Sequence, residues 1–247
     1  MLIGKIGLLM TMVWSWVNPV WGIIDHGSRE LKQVALTFDA CMTPHMQDEL
    51  KTKKVASWYN ENVLKILDKD QIPATFFVSG LWAESYPLVV KGWSKNTQYE
   101  IENHSWDHAA MKTPCYGLAD AVAKVSEVTK TAQVLEDLIG HKPKYFRFPG
   151  GCYDQSDLKL VQDKEERGLG WDVVSGDSFL RDPAKIEHEV LSKVDNGSII
   201  VMHVVGGRTA PNTAEALPGI IKGLKDQGYQ LVKVEDLLTL KKQRTEQ

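Results

Sequence analysis

Two histidines four residues apart, in Asn103-His104-Ser105-Trp106-Asp107-His108, form the first pattern in this sequence that is equipped for chemistry. On one helical turn such positions face the same way, so the spacing predicts two imidazoles offered to a single divalent ion. A third imidazole, His203, closes the apolar run Ile199-Ile200-Val201-Met202, where a strand is expected to leave the core. Asp177 ends the stretch Trp171-Asp172-Val173-Val174-Ser175-Gly176-Asp177 and is a candidate to orient His203 and raise its basicity. Arg147 stands between Phe146 and Phe148, and a cation in an apolar strand needs a carboxylate partner, for which Asp39 is the candidate. The chemistry these types allow is metal coordination combined with acid–base catalysis by an oriented imidazole.

Such residues are useful only if one scaffold brings them together. Runs rich in β-branched and aromatic residues at 34–38, 74–78, 99–101, 145–148, 171–174, 199–202 and 229–232 predict seven strands. Between them lie helical patterns, clearest in Leu118, Val122, Val125, Val128, Ala132, Leu135 and Ile139, with others at 63–67 and 214–224. Strands alternating with helices imply parallel strands joined by right-handed crossovers. That pattern fits either an open doubly wound sheet or a closed barrel; the dinucleotide-binding glycine fingerprint is absent, and the chain length suits a single-domain α/β fold built as a small or incomplete (β/α) barrel. The C-terminal strand ends of such a barrel form one face, and Asp39, His104, His108, Arg147, Asp177 and His203 all fall at or beside strand ends.

Charged residues of both signs are interspersed and the net charge is only -3, which argues against nucleic acid as a partner. Lys5 followed by an apolar run at 6–17, a break at Pro19, and Val20 and Gly22 at the expected cleavage positions predict a signal peptide over 1–22. The expected domain then covers 23–240, with a short tail at 241–247 and no membrane span after the leader is removed. Export implies a secreted or periplasmic protein in an oxidising compartment, where Cys41, Cys115 and Cys152 allow at most one internal disulfide.

With these residues in place, the sequence resembles the polysaccharide deacetylase family, the fourth family of carbohydrate esterases. The likeness rests on Leu36-Thr37-Phe38-Asp39, His104 to His108, Arg147-Phe148-Pro149-Gly150, Trp171 through Asp177, and Val201-Met202-His203, in that order. It implies a deformed (β/α) barrel that removes acetyl groups from a polysaccharide such as peptidoglycan or a chitin-like polymer, using a divalent metal, commonly Zn2+. Carried over residue by residue, His104 and His108 are metal ligands, Asp39 is the base, Arg147 holds Asp39, and His203 is the acid supported by Asp177. Gly150 contributes to oxyanion binding, and Trp171 and Met202 are candidates for the wall of the acetyl pocket.

The sequence departs from the family pattern at Ala40, where an aspartate normally supplies the third metal ligand. Asp39 ranks first as its replacement, ahead of Asn60, His45 and Asp48. A divergent branch of the family, with cysteine two residues after the base, implies a Cys41–Cys152 disulfide. A chain without the ligand at position 40 also raises the alternative of a catalytically impaired carbohydrate-binding protein. Trp58, Tyr59, Trp82, Trp93 and Trp106 are further aromatic candidates for stacking on sugar rings.

Overall fold

The computed structural model describes residues 20–244, with side chains through residue 239. Most of the expected leader therefore lies outside the described residues. In chain order the elements are β1 (Gln33–Ala40), α1 (Pro44–Lys51), α2 (Glu61–Lys69), β2 (Ala74–Val78), α3 (Gly80–Ser85), α4 (Pro87–Trp93), β3 (Tyr99–Asn103), α5 (Lys124–Ile139) and β4 (Tyr145–Phe146). They continue with α6 (Gln155–Asp163), β5 (Arg167–Gly168), β6 (Val173–Val174), α7 (Pro183–Leu191), β7 (Ile199–His203), α8 (Thr213–Asp226), β8 (Gln230–Leu231) and α9 (Val234–Arg244). Residues 241–244 continue α9, so part of the expected tail is helical. Among the described residues, no helix is long and apolar enough to cross a membrane.

The strands form one parallel sheet in the order β5-β4-β3-β2-β1-β7-β6, with β8 paired to the start of β1. It is a curled, incomplete (β/α) barrel in a single α/β domain, as the alternating pattern predicts. The strands at its two ends, β5 and β6, are consecutive in the chain, and Ile24 bridges to Leu169 beside β5. Strand β1 sits centrally. Its sequence Gln-Val-Ala-Leu-Thr-Phe-Asp-Ala is buried from Val34 onward, as expected for a parallel strand covered on both faces.

Alternation along β1 separates two environments. Leu36 and Phe38 pack with Phe76, Ile200, Met202 and the helices in the larger core. Ala35 joins Phe77, Tyr145, Leu169 and Ile199 in a second cluster. Each fully buried aromatic or aliphatic side chain contributes roughly 1.5–3 kcal/mol relative to exposure, so the larger core dominates stability. The second cluster shares its face of β1 with Thr37 and Asp39, both buried.

Three local expectations change. The strand β5 lacks any β-rich signal because it consists of an exposed arginine and a glycine. The strand expected over 145–148 ends at Phe146, since Pro149 and the left-handed Gly150 (φ 63°) turn the chain into a single 3-10 turn. Helix α5 begins at Lys124 rather than near Leu118, and Val122 is almost wholly exposed, so that apolar residue has no core to face.

Candidate active site

Asp39 near the tip of β1 and His203 at the tip of β7 are direct register partners on neighbouring parallel strands. Their side chains therefore leave the same face of the sheet about 4.8 Å apart. Asp39 is 4 % exposed and binds Arg147, whose Nη1 donates to Asp39 Oδ1 at 2.7 Å and to Thr37 Oγ1 at 2.8 Å. Arg147 Nη2 donates to the Gly170 carbonyl, and the guanidinium stacks 3.8 Å from the Phe77 ring centre and 5.4 Å from that of Trp171. Burial pushes the Asp39 carboxyl up, but Arg147, His104 and His203 outweigh it and hold the group below its ordinary value.

Asp177 lies just past β6 and is fully buried. Its Oδ1 accepts from His203 Nδ1 at 2.8 Å and from Ser175 Oγ at 3.1 Å. Its Oδ2 accepts from the His203 backbone N–H at 2.8 Å and from Thr213 Oγ1 at 2.7 Å. A carboxylate can only accept here, so the proton is on Nδ1 of His203 and Nε2 is left for chemistry. Burial disfavours the imidazolium, yet Asp177, with a smaller contribution from Asp39, raises the His203 pKa to about 9.

His104 and His108 do not share a helical turn. They sit in the irregular segment after β3, where His108 has a positive φ of 61°, and the loop folds back to bring the ring centres within 5.0 Å. Nδ1 of His104 donates to the Arg147 carbonyl at 3.0 Å, which fixes the tautomer and leaves the Nε2 lone pair free. That Nε2 is buried without a hydrogen-bond partner, 3.6 Å from Asp39 Oδ2. Burial lowers the pKa of both histidines, that of His108 to about 3 with help from His104, so both are neutral lone-pair donors.

Among the described residues, the group of three whose ligand atoms lie within 4.8 Å of one another is Cys41, His104 and His108. Two imidazoles and a thiol suit a borderline or soft divalent ion. Asp39, ranked first as third ligand, stands with Oδ2 3.6 Å from His104 Nε2 but outside this group, and its Oδ1 is held by Arg147. The lower-ranked candidates are engaged elsewhere: Asn60 caps α2, His45 faces solvent beside Glu49, and Asp48 is exposed on α1.

The expected Cys41–Cys152 bond is replaced by Cys115–Cys152, with Cα atoms 6.0 Å apart, and Cys41 is a buried free thiol. The reason is the turn after β4, which aims Cys152 at the 108–123 loop. Gly150 permits the approach, since a Cβ there would lie 2.6 Å from Cys115 Sγ and the residue has positive φ. Met202 is also corrected as a pocket wall: it is fully buried among the helices, on the face of β7 opposite His203. Trp171 is partly exposed, lines the space beside Gly151 and covers Arg147.

Trp58, Trp82 and Trp93 belong to the larger core, with Tyr59 and Trp106 packed against it, which removes most of the expected stacking candidates. Thr37, Ser175 and Thr213 were not singled out in the sequence. Their hydroxyls complete the hydrogen bonding of Arg147 and Asp177, and lone Thr or Ser residues carry no spacing signal.

The sequence profile of the polysaccharide deacetylase family matches residues 26–167. A protein from Bacillus subtilis called YlxY, itself uncharacterised, is 35% identical over 73% of this chain, and the chain spans 53% of its length. A peptidoglycan-N-acetylglucosamine deacetylase of Bacillus cereus is 28% identical over 93% of this chain and 76% of its own. Among solved structures, the carbohydrate-esterase pseudoenzyme BA3943 of Bacillus anthracis is 26% identical with a TM-score of 0.70, over 87% of this chain and 68% of that one. A matched profile covering more than half the sequence, on a curled (β/α) barrel, establishes that the chain belongs to the polysaccharide deacetylase family.

Proposed function

We propose that this protein is a metal-dependent hydrolase that removes N-acetyl groups from an exported glycan of the peptidoglycan or chitin type. One observation carries the reading: Asp39 and His203 face each other in register, each with its own buried counter-ion, beside two neutral imidazoles. A divalent ion held by His104 and His108 supplies Lewis acidity toward the acetyl carbonyl and lowers the pKa of water.

The chain's own groups divide the proton work. Asp39 is ionised, and because Arg147 occupies Oδ1, its Oδ2 is the oxygen that accepts the proton of the attacking water. The water oxygen bonds to the carbonyl carbon, and the C–N bond then breaks. His203, protonated near neutral pH, gives the Nε2 proton to the departing nitrogen, while Asp177 stabilises the imidazolium. The Gly150 N–H is the candidate to receive the developing oxyanion, since Pro149 has none and that of Gly151 donates to the Phe148 carbonyl; Trp171 is the candidate apolar wall.

The test is acetate release from acetylated chitooligosaccharides and from peptidoglycan by purified protein. Turnover is expected with wild type and lost on the order of a hundredfold or more in Asp39→Asn and in His203→Ala. A second reading, a glycan-binding protein without turnover, is favoured by Ala40 and by the pseudoenzyme relative. Glycan binding with no acetate release at any metal concentration would select it.

A further inference from the structure

We propose that Cys41 is the third protein ligand of the metal, a thiolate replacing the carboxylate that Ala40 has removed. The proposal rests on the metal-dependent reading above and specifies its ion. Strand β1 ends at Ala40, whose methyl group is buried in the core and offers no donor atom. The next residue supplies one. Cys41 Sγ lies within 4.8 Å of the nearest ligand atoms of both His104 and His108.

A lone buried thiol is ordinarily a small apolar side chain. Here a separate observation points to an ion. His104 is 1 % exposed, its Nδ1 is committed to the Arg147 carbonyl, and its buried Nε2 has no hydrogen-bond partner. An unpartnered buried acceptor costs about 1–3 kcal/mol unless something satisfies it. The arrangement of a ring N–H fixed by a carbonyl, with the other nitrogen free, is the one that orients a histidine toward a metal. Cys41 is also kept reduced by the fold, because Cys115 and Cys152 are joined to each other.

The chemistry follows from the donor set. Two imidazole nitrogens and one thiolate fit a tetrahedral ion with a fourth position open, and bond lengths of about 2.0–2.3 Å ask the three atoms to close by roughly an ångström. The thiol proton is released on binding. A thiolate selects Zn2+ or Co2+ and disfavours Mg2+ and Mn2+, which prefer oxygen donors.

The experiment titrates the full chain, stripped of metal, with Co2+ and reads absorbance. A thiolate–cobalt charge-transfer band in the near ultraviolet that saturates at one ion per chain is expected, and Cys41→Ser should abolish it. In that variant Zn2+ affinity should fall by more than the 10–100-fold typical of losing an outer partner of a metal ligand. Cys41→Asp should restore affinity without the band, which separates a lost ligand from a damaged fold. One Co2+ bound with no charge-transfer band, or unchanged Zn2+ affinity in Cys41→Ser, overturns the proposal. If acetate release persists in either case, the deacetylase reading stands without it. A charge-transfer band in a protein that never releases acetate supports the ligand assignment and removes the hydrolase.

Discussion

Replacing Asp177 by asparagine keeps its shape and removes the charge that sets the protonation of His203. With Asp177 present, the His203 pKa stands at about 9, so the imidazolium persists through neutral pH. Without it, burial acts against a charge that only Asp39 still favours, and Arg147 opposes it. A return to the ordinary value of 6.5 is a shift of about 2.5, or about 3 kcal/mol at 1.36 kcal/mol for each pKa unit. At pH 8 the protonated fraction then falls from about nine-tenths to about 3%, a loss of roughly 30-fold from titration alone. With its oxygen kept on the His203 ring N–H, the amide turns its NH2 toward the His203 backbone N–H, a donor against a donor, adding a cost that does not depend on pH. Comparing kcat of Asp177→Asn at pH 6 and pH 8 by acetate release separates the two effects, because the second cancels in the ratio. Wild type should change little between these values, and the variant should drop by roughly 25-fold. An Asp177→Asn enzyme with the same ratio as wild type would refute the assignment of His203 as the acid that Asp177 charges.

Three further outcomes test other parts of the structure. Alkylation of the denatured, unreduced protein should modify Cys41 alone, and mass spectrometry after reduction should show three modified cysteines; a Cys41-containing disulfide would contradict the fold around Gly150. Cys115→Ser with Cys152→Ser should lower stability by about 3–4 kcal/mol, from the loop entropy of a 37-residue separation, measured by denaturant unfolding. Glu102, buried and holding the Lys144 and Tyr145 N–H groups, has its pKa raised, first by burial and then by Glu100. The folded state therefore binds the extra proton, and stability falls as pH rises above the unfolded value of 4.5. Glu102→Gln should accordingly gain in Tm over wild type between pH 4 and pH 8, and a gain that shrinks over that range contradicts the sign.

Sequence periodicity carried the fold well because strands such as β1, β2 and β7 are continuous apolar runs bounded by turns. Their tips identified Asp39 and His203, since in a parallel sheet a polar residue ending such a run has one face to occupy. The histidine pair was legible as a pair, but the helical turn assigned to it was not its conformation. Backbone at positive φ brings the rings together, and Ser and His at 105 and 108 give little hint of it. The cysteine pairing failed for a related reason: which thiol meets Cys152 depends on the direction of the turn at Pro149–Gly151, a tertiary fact. Met202 was misplaced by one step of alternation, which moves a side chain to the opposite face.

On the proposed mechanism, the two buried ion pairs explain why acid and base are held on different strands with different partners. A carboxylate and an imidazole facing each other in register would, if left alone, pair with each other and share one proton. Arg147 enters from just past β4 and claims one oxygen of Asp39, while Asp177 enters from beyond β6 and claims Nδ1 of His203. Each group is therefore committed through one atom, which leaves Asp39 Oδ2, 3.6 Å from His104 Nε2, and His203 Nε2. The same commitments push the two pKa values apart, below 3.8 for Asp39 and to about 9 for His203. Across that interval Asp39 is ionised and His203 protonated at once, the state in which the proposed mechanism would serve a water at the one and a leaving nitrogen at the other without a proton first crossing the site.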